Sequence, residues 1–496
     1  MTNGTNSGLT RRGLLGGLGV GAGIMGLAAL TPAQAALLPE PETSESFDVV
    51  VIGSGLAGCA AALAAAENGA SVIVLEKAAQ SRMGGNSFLA GGYFALPDDD
   101  SAAARAGFVE DFEAFCLGRG NTEIFELMAA NALEDVEWLR GHGVDILPPN
   151  TSPTTRVSTA IAGPAPFAGM PGLFRVMRDR IPARGGRLVF DTKARQLILD
   201  GSGAVVGVRA TGPAGVVDYR ASQGVVIAAG GYAGNTAMLE AYADPNAGAM
   251  MVRGIPHATG DGLLMAQAVG AGLRGMGGLM SLHIAAVDAV ETAAGQPAFA
   301  VPYAISINSE GNRFIDESLG YVAHGKAVLN QPGQTTNLIL DQALREVAAV
   351  EGVFGTFARL GITVHQADTI EELAGMIGVP AAQMAETVAA FNAAIADGKA
   401  LEATPPKQAL ARPIETPPFY AFSPLAPGIT LTFGGIMVDT EARALEPDGR
   451  VVPGLFAAGE GAGGVFFHDY IGGGSMTNCL VMGRIAGRHA AAAQRA

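Results

Sequence analysis

Hydrophobic and polar positions fall into distinct blocks along this chain. Phe47-Asp-Val-Val-Val-Ile52 is a short apolar run suited to a strand, and Gly53-Ser-Gly-Leu-Ala-Gly58 follows it directly. Residues 59–67 are alanine-rich and predict a helix, and Ser71 to Leu75 predict a second strand closed by Glu76. A helical stretch covers about 101–142 and holds the only tryptophan, Trp138. Residues 186–227 read as short strands broken at Gly201-Ser-Gly203 and Gly212-Pro213, and Val225-Val-Ile-Ala-Ala-Gly-Gly231 reads as another buried strand ending in glycine. Thr259-Gly-Asp-Gly262 opens a helix. From about 276 the pattern changes. Ala304–Asn308 predicts a strand, Ser309–Asn312 a turn, and 341–349, 370–377 and 380–397 carry helical periodicity. A proline-rich return (Pro405, Pro406, Pro413, Pro417, Pro418) leads back, so the region reads as an inserted domain. Gly434–Asp439 then resumes the first style, and the chain runs through Gly454-Leu-Phe-Ala-Ala-Gly-Glu460 to a glycine-rich helix start at 472–475. No internal repeat is visible.

The glycine block carries the first chemistry. An apolar strand delivers Gly53, Gly55 and Gly58 to the start of a helix. Gly53 permits the tight turn, Gly55 lets backbone approach a pyrophosphate, and Gly58 lets helix and strand pack closely. Glu76, at the end of the next strand, is in register to accept hydrogen bonds from a ribose. Strand, glycines, helix, strand and acid in that order predict a bound dinucleotide.

Composition narrows the class. A chain of 496 residues with 49% hydrophobic and 16% charged positions has room for two or three domains around a large core. Its net charge of -15 argues against nucleic acid and anionic membrane surfaces as partners. Cys59, Cys116 and Cys479 lie far apart and form no haem, redox-pair or metal motif, so no metal is expected. Thr10-Arg11-Arg12-Gly13-Leu14-Leu15 resembles a twin-arginine export signal. The apolar stretch Leu14–Leu30 carries six glycines, which suits a weakly hydrophobic signal core better than a membrane span, and Ala33-Gln34-Ala35 is a cleavage site. Residues 1–35 are therefore expected to be a signal peptide for export to the periplasm, with no stable membrane insertion, and 36–46 a linker.

Six motifs in order, Gly53–Gly58, Gly84-Gly-Asn-Ser-Phe-Leu-Ala-Gly-Gly92, Ala228–Gly231, Thr259–Gly262, Gly311-Asn-Arg-Phe-Ile-Asp-Glu317 and Gly454–Glu460, resemble the fumarate reductase/succinate dehydrogenase flavoprotein superfamily. Arg253-Gly-Ile-Pro-His-Ala-Thr-Gly-Asp-Gly262 and Gly463-Gly-Val-Phe-Phe-His-Asp-Tyr-Ile-Gly-Gly-Gly474 look most like tricarballylate dehydrogenase-like members. Tyr470 and Gly474 also fit the Tyr-x-Gly-x-Gly element of 3-ketosteroid dehydrogenases. The resemblance implies an α/β fold: a Rossmann-like FAD-binding domain of the glutathione-reductase-2 type (47–275 and 428–496) with an inserted α+β capping domain (276–427). It implies that FAD is held by Gly53, Gly55, Leu56, Ala57, Gly58, Glu76, Lys77, Gly85, Asn86, Ser87, Ala90, Gly91, Gly92, Ala194, Gly230, Asp261, Gly459, Glu460, Ser475 and Met476. Ser87 stands near the place of the histidine that bonds covalently to FAD in succinate dehydrogenases, so the flavin is expected to be non-covalent.

The chain departs from fumarate reductases where their arginines act. Tyr470 stands where they bind a substrate carboxylate, Tyr321 where they deliver a proton, and Leu431 where a histidine precedes the paired glycines. Moving hydrogen across a C–C bond beside a carbonyl needs a hydride partner, a polariser and a proton carrier. The resemblance assigns the Tyr470 hydroxyl and the Gly474 N–H to an oxyanion hole, Tyr321 to the proton with His324 or Lys326 assisting, and His283 to a substrate-facing role. Arg253, His257 and His468 are candidate substrate ligands, His468 sharing a face with Tyr470 if the segment is extended. The reading is an FAD oxidoreductase for a carbonyl-activated C–C bond on a small organic substrate. A carboxylic acid dehydrogenase or reductase, needing Arg253 or Arg156 near the flavin, and an electron-transfer subunit remain open. The electron donor or acceptor is expected to be separate: a cytochrome, a quinone-linked protein or oxygen.

Overall fold

A computed structural model describes residues 39–493 apart from 152–154, 281–283, 290–294 and 470. The signal-peptide motifs, His283 and Tyr470 lie outside the described residues. Pro41–Ala496 form one compact unit.

Five parallel strands make the central sheet, in the order Arg187–Val189, Val72–Leu75, Thr43–Ile52, Gly215–Ile227, Val451–Ala457. Val49–Ile52 and Val72–Leu75 are apolar at every position because helices and a second layer cover both faces. Lys193–Leu199 and Val205–Gly212 add an antiparallel meander on Gly215–Ile227. The first strand begins at Thr43, inside the stretch expected to be linker. Thr43–Ser46 pair with Val217–Arg220, and backbone bonds rather than apolar side chains extend the strand there.

Helix Leu56–Glu67 leaves the glycine loop and lies against helix Gly474–Ala492. A Cβ on Gly483 would sit 2.5 Å from the Ala57 carbonyl oxygen, and one on Gly487 2.1 Å from that of Ala61. The two helices therefore meet backbone to backbone. The stretch 101–142 is two helices rather than one, Ala102–Phe115 and Thr122–Gly141, capped by Ser101 and Asn121. Leu117 and Gly118 break them with left-handed backbone, φ 54° and 66°.

A second apolar core runs from Ile284 to Leu425 and includes Ile305, Leu338, Phe357, Phe391 and Phe422. Its sheet gathers Ile284–Ala286, Thr336–Leu340 and His365–Ala367 on strand Phe419–Ile429, with Ile305–Ile307 beyond Thr336–Leu340. The far end of Phe419–Ile429 pairs with Met251–Val252, carrying the chain back toward the nucleotide sheet. The helical reading at 341–349 resolves into Gln342–Arg345 and a longer helix, Ala348–Leu360. Helix Tyr321–Val328, which periodicity did not announce, is also present. Inside this core Arg313 donates to Glu317 at 2.8 Å, and the wholly buried Lys407 donates to the Ala304 carbonyl at 2.8 Å. No helix among the described residues is long and apolar enough to cross a membrane.

Candidate active site

The glycine loop has the geometry its spacing implied. Gly53 adopts φ 100°, with a Cβ position 2.4 Å from the Ala228 oxygen, and a Cβ on Gly58 would fall 2.0 Å from the Gly53 oxygen. Gly55 is different: nothing comes closer to its Cβ position than Gly84 O at 3.7 Å and Ser87 Oγ at 3.9 Å. It caps helix Leu56–Glu67 without a side-chain bond. First-turn N–H groups without intrahelical acceptors, above an uncrowded glycine, are what a pyrophosphate requires. The Glu76 carboxylate accepts from Ser54 N at 2.9 Å, Ser54 Oγ at 2.7 Å and Ala78 N at 2.8 Å, which fixes it at the end of the loop. The donor set and the space fit FAD, with Gly53, Gly55, Leu56, Ala57 and Gly58 on one side.

Other cradle candidates gather around this loop. Lys77 donates to Asp261 at 2.6 Å, and Lys193 reaches the other Asp261 oxygen at 2.9 Å, one residue before Ala194. Burial would raise the Asp261 pKa, but the two lysines outweigh it and hold the carboxyl below its usual range. Ser87, in the short helix Gly85–Phe88, accepts from Leu56 N at 3.4 Å, and Ala90–Gly92 lead from that helix into strand Tyr93–Pro97. Gly459 adopts φ 74° against Ala57, and Gly230 stands open with only Glu460 nearby, at 3.7 Å.

Asn86 is the busiest of these residues. Its Nδ2 donates to Thr430 O at 3.0 Å and to Glu460 Oε2 at 3.1 Å, while its Oδ1 accepts from Ile255 N at 2.8 Å. Glu460 Oε1 accepts in turn from Thr432 N at 3.1 Å. Burial pushes the Glu460 carboxyl up to about 7 even though Thr432, Asn86 and Gly231 donate to it.

Tyr321 opens the helix Tyr321–Val328 of the second core, yet its ring packs against the nucleotide-side core that holds Phe466 and Ile471. Burial raises its pKa, the charge of Asp469 adds to that, and the positive charge of Arg253 opposes it. The phenol thus stays protonated, within electrostatic reach of Arg253 and Asp469. Arg253 is anchored by its N–H on Ile429 O at 2.8 Å and by Nη1 on Thr430 Oγ1 at 3.3 Å.

Several expectations change. His324 is wholly buried, shares a 2.5 Å hydrogen bond with Ser306 Oγ and stacks on Phe314. Burial and the charge of Lys407 lower its pKa to about 3, so it is a neutral core residue and no proton carrier. Lys326 donates to the His468 carbonyl, tying the two cores together instead of meeting substrate. His468 is exposed with left-handed backbone, φ 65°, so the segment is not extended at that residue. The Gly474 N–H, assigned to an oxyanion hole, is already donated to Ile471 O at 2.9 Å. The next amides of that helix, on Ser475 and Met476, belong to a first turn that lacks intrahelical acceptors. His257 is exposed. Arg156 lies at the surface, held by Glu110 at 2.6 Å and Asp111 at 2.5 Å, which leaves Arg253 as the arginine of this site. Asp469 and Thr432 escaped the sequence reading. Asp469 stands inside a motif already in view, whereas nothing local marked Thr432.

Residues 48–476 match the FAD binding domain family. The cytochrome-type fumarate reductase of Shewanella frigidimarina is 30% identical over 470 residues, covering 92% of this chain and 79% of that protein. The open conformation of a flavocytochrome c3 fumarate reductase superposes with a TM-score of 0.77 at 29% identity, covering 91% of this chain and 79% of the other. The 3-ketosteroid-Δ4-(5α)-dehydrogenase of Rhodococcus jostii RHA1, in complex with 4-androstene-3,17-dione, gives 0.69 at 28% identity, covering 92% and 99%. The fold and cradle are those of an FAD-dependent oxidoreductase. The chain belongs to the fumarate reductase/succinate dehydrogenase flavoprotein superfamily.

Proposed function

We propose that this enzyme moves hydrogen across a C–C bond activated by a neighbouring carbonyl, with reduction of the double bond as the favoured direction. The observation that carries the reading is the Tyr321 phenol, half-buried against the core that holds Phe466 and Ile471 and within electrostatic reach of Arg253 and Asp469. FAD, when bound, supplies the hydride. Tyr321 holds a proton for the adjacent carbon without needing a shifted pKa, because a neutral phenol is its resting state. Tyr470 remains the proposed polariser of the carbonyl oxygen, with the first-turn amides of helix Gly474–Ala492 in place of the Gly474 N–H. A carboxylate-bearing substrate is the second reading, favoured by the charge of Arg253 at the same site. The ketosteroid dehydrogenase relative supports the first reading and the fumarate reductase relative the second.

The proposed domains are an FAD-binding domain at 47–275 and 428–496 and a capping domain at 276–427. Electrons are proposed to come from a separate cytochrome or quinone-linked protein, and the twin-arginine motif to send the folded, FAD-loaded chain to the periplasm. The test is to reduce the flavin anaerobically and follow its reoxidation on adding a 3-keto-steroid enone, a simple cyclic enone, fumarate or aconitate. Reoxidation by an enone alone supports the carbonyl reading. Reoxidation by fumarate or aconitate alone transfers the role to Arg253 and refutes it.

A further inference from the structure

The arm that carries Arg253 has few supports of its own. Met251–Val252 is a two-residue strand, and the chain then turns through Gly254 into an exposed Pro256-His257 corner. Besides the Arg253 Nη1 bond to Thr430 Oγ1 at 3.3 Å, two anchors matter here. One is the backbone pairing of Arg253 N and Gly254 N with Ile429 O, at 2.8 and 3.2 Å. The other is Asn86, whose Oδ1 accepts from Ile255 N at 2.8 Å. The same amide donates to Thr430 O and to Glu460 Oε2, so its orientation is fixed: a flipped Asn86 would face Ile255 N–H with a donor. Gly254 is fitted to this contact, since a Cβ there would lie 2.5 Å from Thr430 O and 2.7 Å from Asn86 Oδ1. Asn86 itself sits on the turn that overlooks the glycine loop, flanked by Gly85, whose Cβ position is 3.7 Å from Ile255 Cδ1, and by Ser87, bonded to Leu56 N.

We propose that Asn86 is a positioning residue that locks the Arg253 arm to the flavin cradle, so that the guanidinium meets the substrate oxygen at a fixed distance from the cofactor. The proposal deepens the second reading above, in which Arg253 receives the substrate's carboxylate oxygen, and it rests on that reading. Asn86 acts through the Ile255 amide and the Glu460 carboxylate. Its loss should therefore weaken substrate binding more than the hydrogen-transfer step.

The experiment uses FAD-loaded full-length protein. In Asn86→Ala, amide hydrogen exchange across residues 252–255 should rise at least about tenfold, and KM for the dicarboxylate that reoxidises the flavin should rise on the order of tenfold, by more than kcat falls. Asn86→Asp sets two carboxylates against each other and should behave like Asn86→Ala. The paired Asn86→Asp/Glu460→Gln change restores the bond to residue 460 with reversed polarity but leaves an acceptor facing Thr430 O, so it should recover part of the protection and of KM. If Asn86→Ala does not retain flavin, Gly254→Ala displaces the arm from an intact Asn86 and should give the same two changes. Unchanged exchange and KM in a flavin-loaded variant, or no rescue by the paired change, overturns the proposal. Arg253→Lys separates the two ideas: if it leaves KM unchanged while the exchange results stand, the substrate role of Arg253 fails and the lock remains.

Discussion

Replacing Tyr321 by phenylalanine tests the proposed chemistry with little disturbance of the fold. The ring keeps its contacts with the core around Phe466 and Ile471, and only the hydroxyl is lost. One hydrogen-bonding group is worth about 1 kcal/mol, so the melting temperature should move by a few degrees at most. The rate should move far more. A positioned general acid contributes roughly 100- to 10,000-fold. Here the acid is present in full across the working range, since burial and Asp469 both raise its pKa and Arg253 only partly opposes them. A raised pKa also makes the phenol a weaker acid, so the lower half of that span applies, about 3–4 kcal/mol at 1.36 kcal/mol per decade. The assay is stopped-flow reoxidation of the photoreduced enzyme by an enone between pH 6 and 9. The native rate should show no alkaline loss assignable to Tyr321 in that window, because its titration lies higher. Tyr321→Phe should be slow at every pH, with the flavin spectrum retained. A rate within threefold of the native enzyme, with FAD bound, refutes the assignment.

Three further outcomes follow from other contacts. Gly58→Val should abolish flavin binding, seen as colourless purified protein, because its Cβ would sit 2.0 Å from the Gly53 oxygen and force the loop open. Asp135→Ala should destabilise the protein by about 3–5 kcal/mol in urea unfolding, because it strips the carboxylate from the buried Arg484 that ties helix Thr122–Gly141 to helix Gly474–Ala492. Glu460 is protonated more readily when folded, at about 7, than at its ordinary 4.5. Its stabilisation is complete below about pH 4.5 and lost as pH rises through 7, at most about 3 kcal/mol in all. Unfolding of FAD-free protein at pH 5 and 8.5 should show this difference in the native chain and lack it in Glu460→Gln, and equal differences would count against the raised pKa.

What the sequence made legible was local. Gly53, Gly55, Gly58 and Glu76 could be assigned because strand, turn, helix and acid lie within thirty or so positions and each glycine has its own steric reason. The second core was legible as a change of pattern. Its helix at Tyr321 was not, because Gly320 opens it and its first residue packs on the other core. His324 looked like a proton carrier beside Tyr321, and only tertiary contact with Ser306 and Phe314 makes it an inert core residue. Gly474 fitted a spacing, but whether its N–H is free depends on the turn that Ile471 makes. Arg253 and Arg156 were indistinguishable by composition. One is held at the surface by acids brought from helix Ala102–Phe115, and the other stands beside Tyr321.

The backbone contact between Ala57–Ala61 and Gly483–Gly487 sets an order of assembly. The helix that presents the glycine loop, Leu56–Glu67, is made long before its mate, Gly474–Ala492. Until that mate arrives, an alanine-rich helix has an uncovered face. Flavin capture is therefore expected to follow the docking of the later helix. Colour then reports that the two helices have met.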